Sequence, residues 1–177
     1  FVRSPFASGA PSERYLVFTD PVAMTTILHV EDDELLAEAV KDAFKALGFR
    51  GTYEVAHDIA QARALVRDGE RGRPPDLVIA DMRLPDGTGI DVVHLVRSDP
   101  WTSHVPIVIL SGDPDTATVN RAYAIGANSY VSKGTSRRSI AQIIGNLYEH
   151  WMKAALLPHD SPASRTLSVL REAISLR

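Results

Sequence analysis

The chain has 177 residues, a formal net charge of −3 and no cysteine. That length suits one domain with appendages, and a domain of roughly 130 residues buries about two-thirds of its unfolded surface without a disulfide or metal staple. The missing cysteines exclude a thiolate zinc site, a redox motif and a disulfide scaffold. The charge gives no basic field for nucleic acid, and apolar runs such as "IVIL" are far too short to span a membrane.

Residues 1–24 carry Arg3 and Arg14 but no continuous apolar stretch, so they read as an extension or leader and not as a secretory signal, with Met24 a candidate natural start. "TILHV" (26–30) is a β-rich run. Over 34–47, Leu35, Leu36, Ala39, Val40, Ala43, Phe44 and Leu47 fall at helical spacing, with Asp33 as a cap and Gly48 as a stop. "TYEV" (52–55) is a second strand, and "DIAQARALVRD" a helix capped by Asp58. "GERGRPP" is a charged loop before the third strand, "DLVIA". Residues 89–98 read as a helix, "PIVILS" (106–111) as the fourth strand, and 114–125 as a helix with Pro114 in its first turn. "NSYVS" (128–132) is the fifth strand. Ile140, Ile143, Ile144, Leu147, Trp151 and Ala154 mark a long amphipathic helix that stops by Pro158, and Leu167, Leu170 and Ile174 a short tail helix.

Strands alternating with helices imply βαβ units and a doubly wound α/β fold on a five-stranded parallel sheet, with the principal domain at 25–150 and the helix end, linker and tail at 151–177. In such sheets ligands sit outside the carboxyl ends of the strands. Glu31 and Asp32 follow the first strand, Asp81 follows "DLVIA", Ser111 ends the fourth strand and Lys133 follows the fifth, so the fold brings all five to one rim. Crowded carboxylates repel unless a cation sits among them, and hard oxygen ligands with water suit Mg2+. A hydroxyl and an ammonium nearby suit a phosphoryl group, and a carboxylate can itself become an aspartyl phosphate. Taken singly, the acids of "EDDE" read as caps and solvated charge, Lys133 as a surface residue and Ser111 as a turn residue. "GTG" at 87–89 is weak as a phosphate loop. His57, His94, His104, His150 and His159 share no metal spacing and read as ordinary. It is the joint placement at successive strand ends that points to a site.

With "VEDD", "DMRLPDGTG", "ILSGD" and "SYVSK" at those strand ends, the stretch 25–150 resembles the response-regulator receiver domain of two-component signalling, a flavodoxin-like fold. The resemblance implies Asp81 as phosphoacceptor, and Glu31, Asp32, Asp81 and the main-chain carbonyl of Arg83 as the Mg2+ site. It further implies Lys133 against the phosphoryl oxygens, Ser111 as the switch hydroxyl and Tyr130 as the aromatic rotor. The partner implied is a sensor histidine kinase. The expected role is that of a cytoplasmic single-domain regulator, not an enzyme proper, with self-catalysed phosphotransfer and slow autodephosphorylation, acting on an output protein without binding nucleic acid or membrane.

Gly134 stands where receivers usually have proline, so a cis peptide after Lys133 is not assumed. The long loop "RDGERGRPPD" and the helix end "NLYEHWMKAALLP" resemble the single-domain regulators that partner bacterial phytochrome kinases. If that helix runs straight, Trp151, Ala154, Ala155 and Leu157 project past the sheet as an apolar patch, which favours a homodimer through the C-terminal helix. Two alternatives differ in class. One is a phosphorylation-independent interaction module with the receiver fold, which the intact set of five residues argues against. The other is a phosphatase with an aspartyl-phosphate intermediate, which needs a second acid where Arg83 stands.

Overall fold

The computed structural model describes residues 25–66, 74–112, 115–134 and 137–158. In chain order they form β1 (Thr26–Val30), α1 (Glu34–Ala46), β2 (Thr52–Ala56), α2 (Ile59–Val66), β3 (Leu77–Asp81), the short strands β4 (Arg83–Leu84) and β5 (Gly87–Thr88), and α3 (Gly89–Ser98). Then come β6 (Ile107–Ser111), α4 (Thr116–Ala124), β7 (Ser129–Ser132), α5 (Arg137–Tyr148) and a π-helical continuation, Glu149–Ala154. The main sheet is all parallel in the order β2-β1-β3-β6-β7. The order reverses beside β1, which places the crevice of a doubly wound sheet at the carboxyl ends of β1 and β3.

Alternation along the strands builds two cores. On β3, Val78 and Ala80 join Leu28, Val30, Val92, Val93, Ile107 and Ile109 on the face covered by α2 and α3. Leu77 and Ile79 join Ile27, Val40, Phe44, Val108, Leu110 and Ile144 on the face covered by α1 and α5. Both faces of the central strands are sealed, as their unbroken apolar runs require.

The caps follow local chemistry. Asp33 accepts from the N–H groups of Leu35 and Leu36 at 2.9 and 3.0 Å, and Asp58 from that of Gln61 at 2.6 Å. Gly48 closes α1 with φ of 95°, a conformation open to glycine. Helix α4 begins at Thr116, with Asp115 as its cap accepting from the Thr118 N–H at 3.0 Å, and Pro114, expected in its first turn, lies outside the described residues. No described peptide bond is cis, and Gly134 takes φ of 64°.

The C-terminal helix departs further from expectation. It widens into a π-helical turn, with the Ala155 N–H on the His150 carbonyl at 2.7 Å, and the chain then turns extended at Ala155. The wider turn changes which side chains face the sheet. Met152 and Leu157 are buried with Phe44, Phe49 and Tyr148, and Trp151 packs against them half-buried. The patch expected from Trp151, Ala154, Ala155 and Leu157 is therefore not formed as such, and Leu156, 91% exposed, is the large apolar side chain of this end left outside. Among the described residues no helix is long and apolar enough to cross a membrane. The extension at 1–24, residues 69–73 of the charged loop and the tail helix with Leu167, Leu170 and Ile174 lie outside the described residues.

Candidate phosphoacceptor site

Each strand end delivers its residue to the rim. Glu31 follows β1, its N–H bonded to the Ala56 carbonyl at 2.9 Å, and its side chain is 1% exposed. Asp32 beside it faces solvent. Asp81 closes β3, mostly buried, and its Oδ1 accepts from the Met82 N–H at 2.6 Å. Lys133 follows β7, its N–H on the Ser111 carbonyl at 2.8 Å. From there Nζ reaches Glu31 Oε2 at 2.6 Å and Asp81 Oδ2 at 3.1 Å. Ser111 ends β6, buried, in register with Ser132 of β7. Tyr130 packs against the core, its hydroxyl buried without a hydrogen-bond partner. Arg83 is exposed on β4, opposite Thr88 of β5.

The loop after Asp81 is tied down from several sides. The β4–β5 ribbon shapes it, and Thr88 Oγ1 donates to Asp91 Oδ2 at 2.7 Å where α3 begins. Asp86 accepts from the N–H groups of Ile59 and Ala60 at 2.9 and 3.1 Å, pinning the loop to the start of α2. Behind Asp81, the Gly89 N–H bonds the Met82 carbonyl at 3.1 Å. A Cβ on Gly89 would stand 2.6 Å from the Asp81 carbonyl oxygen. The "GTG" segment thus serves close packing behind Asp81. Gly89→Ala is expected to cost about 1–3 kcal/mol, as overpacking does, because the backbone carrying Asp81 must shift. A urea denaturation midpoint equal to that of the parent would contradict this.

The electrostatics set the two acids of "VEDD" apart. Burial pushes the Glu31 carboxyl up to about 7, with Lys133 opposing the rise and the Asp81 carboxylate adding to it. His29, fully buried in β1, is pushed down to about 3 by burial, with the charges of Lys133 and His57 adding, so its ring is neutral at ordinary pH. Burial also raises Tyr53 well above its ordinary value, aided by the carboxylates of Glu31 and Glu38, so it remains a phenol.

The carboxylate oxygens of Glu31, Asp32 and Asp81 lie within 4.8 Å of one another, a cluster that could hold a metal ion. All three are hard oxygen donors, and a buried carboxyl held up near pH 7 gains by a second cation, so the set fits Mg2+.

Sequence reasoning brings Glu31, Asp32, Asp81, Ser111 and Lys133 to this rim, and the structure places them there. It misses four neighbours. His57 reads as ordinary in the sequence, yet its Nδ1 lies 3.0 Å from the Glu31 carbonyl oxygen, to which it donates. Asp86 escapes notice because its partners are backbone groups some 26 residues away. His29 and Tyr53 escape notice too, although a histidine inside a five-residue apolar strand, two residues before an acid, is a signal.

Comparison with known proteins agrees with this geometry. The chain matches the family model for the response regulator receiver domain over residues 27–145. It is 30% identical over 128 residues to a probable methanogenesis regulatory protein, FilR2, of Methanothrix harundinacea, covering 71% of this chain and 83% of that one. Among solved structures it is similar to the phosphorylated cyanobacterial phytochrome response regulator RcpA, with a TM-score of 0.71 and 25% identity over 76% of this chain and 99% of that one. A response regulator in red light signaling of R. palustris gives a TM-score of 0.67 at 25% identity, over 76% of this chain and 99% of that one. Because the family match runs from within β1 to within α5 and takes in every strand-end motif, the chain belongs to the response regulator receiver domain family.

Proposed function

We infer that the chain is a receiver that takes a phosphoryl group from the phosphohistidine of a sensor histidine kinase onto Asp81. One observation carries this: an ammonium, Lys133 Nζ, is shared between Asp81 Oδ2 at 3.1 Å and Glu31 Oε2 at 2.6 Å inside a cluster of three carboxylates. The Asp81 carboxylate attacks phosphorus, the bond from phosphorus to the donor imidazole breaks, and the imidazole leaves with the electron pair. Glu31, Asp32, Asp81 and the Arg83 carbonyl would hold Mg2+, which when bound would neutralise charge on the transferring group. Lys133 turns its ammonium to a phosphoryl oxygen, and the Ser111 hydroxyl donates to another. The buried, unpartnered hydroxyl of Tyr130 marks a side chain with something to gain from a second arrangement, and we assign it the switch role as Ser111 moves inward. Positioning and electrostatics supply most of the rate, and hydrolysis later resets the site, so the chain is a phosphoacceptor with self-catalysed chemistry and not an enzyme acting on a separate substrate.

The likeness to RcpA, a phytochrome response regulator, and to a regulator in red light signaling supports a bacterial phytochrome as the partner kinase, and we place the chain in the cytoplasm with it. A homodimer through the C-terminal helix stays part of this proposal on a smaller basis, the exposed Leu156 beside half-buried Trp151, and sedimentation against Trp151→Ala tests it. The metal is tested by Asp32→Ala. Mg2+ affinity, read by titration calorimetry, should fall at least tenfold, and labelling by a small phosphodonor should fall with it. Unchanged affinity would remove Asp32 from the ion's ligands.

A further inference from the structure

His29 is a titratable side chain of the site for which the transfer above has no use. It lies on the α1 and α5 side of the sheet, fully enclosed. Its Nδ1 is 3.0 Å from the Tyr53 hydroxyl, and the two rings meet edge-on with centroids 6.0 Å apart. Its Nε2 is sealed from solvent without a hydrogen-bond partner and stands 3.9 Å from Glu31 Oε2. Buried polar atoms are nearly always paired, so one left over asks for the state in which it is paired.

The signs of the neighbours fix the tautomer. A neutral imidazole carries one N–H. Were it on Nδ1, the bare Nε2 lone pair would face the Glu31 carboxylate. With the Tyr53 hydroxyl donating to Nδ1, the proton sits on Nε2 and its N–H dipole points at the carboxylate, which is attractive. At 3.9 Å this is too long for a hydrogen bond. The same oxygen is held from the other side by Lys133 at 2.6 Å. Glu31 Oε2 therefore has two donors facing it and is bound to one.

We propose that His29 is a positioning residue for Glu31, a neutral Nε2–H donor oriented by Tyr53 that takes over the Glu31 carboxylate when Lys133 is drawn to a phosphoryl group on Asp81. Resting on the phosphoacceptor reading above, the exchange moves no proton: Glu31 gives up one donor and gains another. A carboxylate has two oxygens, so an N–H on one is compatible with a cation on the other. Without His29, the Glu31 oxygen that Lys133 leaves at the moment of phosphorylation would have no donor of its own, and the acid would drift from the place where it must face the ion.

The test is nuclear magnetic resonance of the full chain labelled with 15N-histidine, with the His29 ring assigned through its backbone. Spectra are taken free, then with Mg2+ and beryllium trifluoride as a phosphoryl mimic, whose bound fluorine signal reports separately on Asp81. The Nε2–H tautomer is expected in both states, with the Nε2 proton moving downfield once the mimic is bound. Tyr53→Phe should release Nδ1 and give a mixture of tautomers. A Nδ1–H tautomer in the free protein would overturn the assignment. So would a mimic that binds without moving the Nε2 proton, or a Tyr53→Phe spectrum that keeps the parent tautomer. Absence of any bound fluorine signal would instead sink the phosphoacceptor reading, and the exchange with it.

Discussion

Replacing Glu31 by glutamine should make the metal-free protein more stable at pH 8, by an amount on the order of 1–3 kcal/mol once the lost bond to Lys133 is set against it. Burial raises the folded carboxyl from 4.5 to about 7, and each unit is worth about 1.4 kcal/mol. An acid raised in this way contributes stability that is fully present below about pH 4.5 and is lost as the pH rises through about 7. His29 works in the opposite direction. Its folded value is lowered from 6.5 to about 3, so its contribution is present above about pH 6.5 and is lost as the pH falls towards 3. Between about 4.5 and 6.5 the two slopes oppose each other in the parent protein. Above that window only the loss from Glu31 remains, and below it only the loss from His29. In Glu31→Gln the alkaline loss should vanish and the loss from His29 should begin at once below about 6.5. Urea denaturation at pH 5, 6 and 8 in chelator checks this, and parallel curves for the two proteins would contradict it. Mg2+ should stabilise the parent at pH 8 and leave Glu31→Gln nearly unmoved.

Lys133→Met should have the reverse effect. It keeps the alkyl volume and removes the ammonium that bonds both Glu31 and Asp81. Removing one partner of a buried ion pair costs about 3–5 kcal/mol, because the remaining charge stays buried. At pH 8 both carboxylates are then left facing each other. At pH 5 Glu31 takes a proton and much of the loss should disappear. Saturating Mg2+ at pH 8 should recover part of it, since an ion among the acids replaces the missing positive charge. A loss equal at pH 5 and pH 8 and indifferent to Mg2+ would show that Lys133 acts only through packing.

These effects converge on a site whose outline is legible in the order of residues alone. Short, uniformly apolar runs bounded by turn residues mark β3 and β6 as strands, and period-3.6 patterns mark the helices between them. Once the alternation is clear, topology carries Glu31, Asp81, Ser111 and Lys133 to one edge. What stays hidden depends on contacts rather than patterns. The β4–β5 ribbon is two residues per strand, too short to show any period. The pairing of His29 with Tyr53 joins neighbouring strands 24 residues apart in sequence. The π-helical turn at Glu149–Ala154 changes the facing of Met152 and, after the extended Ala155, sends Leu157 into the core. Helical spacing drawn through that turn assigns Leu157 to an outer patch, because a change of pitch leaves no mark in residue types.

The central claim is that Asp81 accepts a phosphoryl group with a divalent ion bound among Glu31, Asp32 and Asp81. It is tested most directly by intact-mass spectrometry after incubation with a small phosphodonor and Mg2+. The parent protein should gain one phosphoryl mass, lose the adduct when chelator is added beforehand, and gain nothing as Asp81→Asn. An Asp81→Asn variant that labels as fully as the parent would contradict the account.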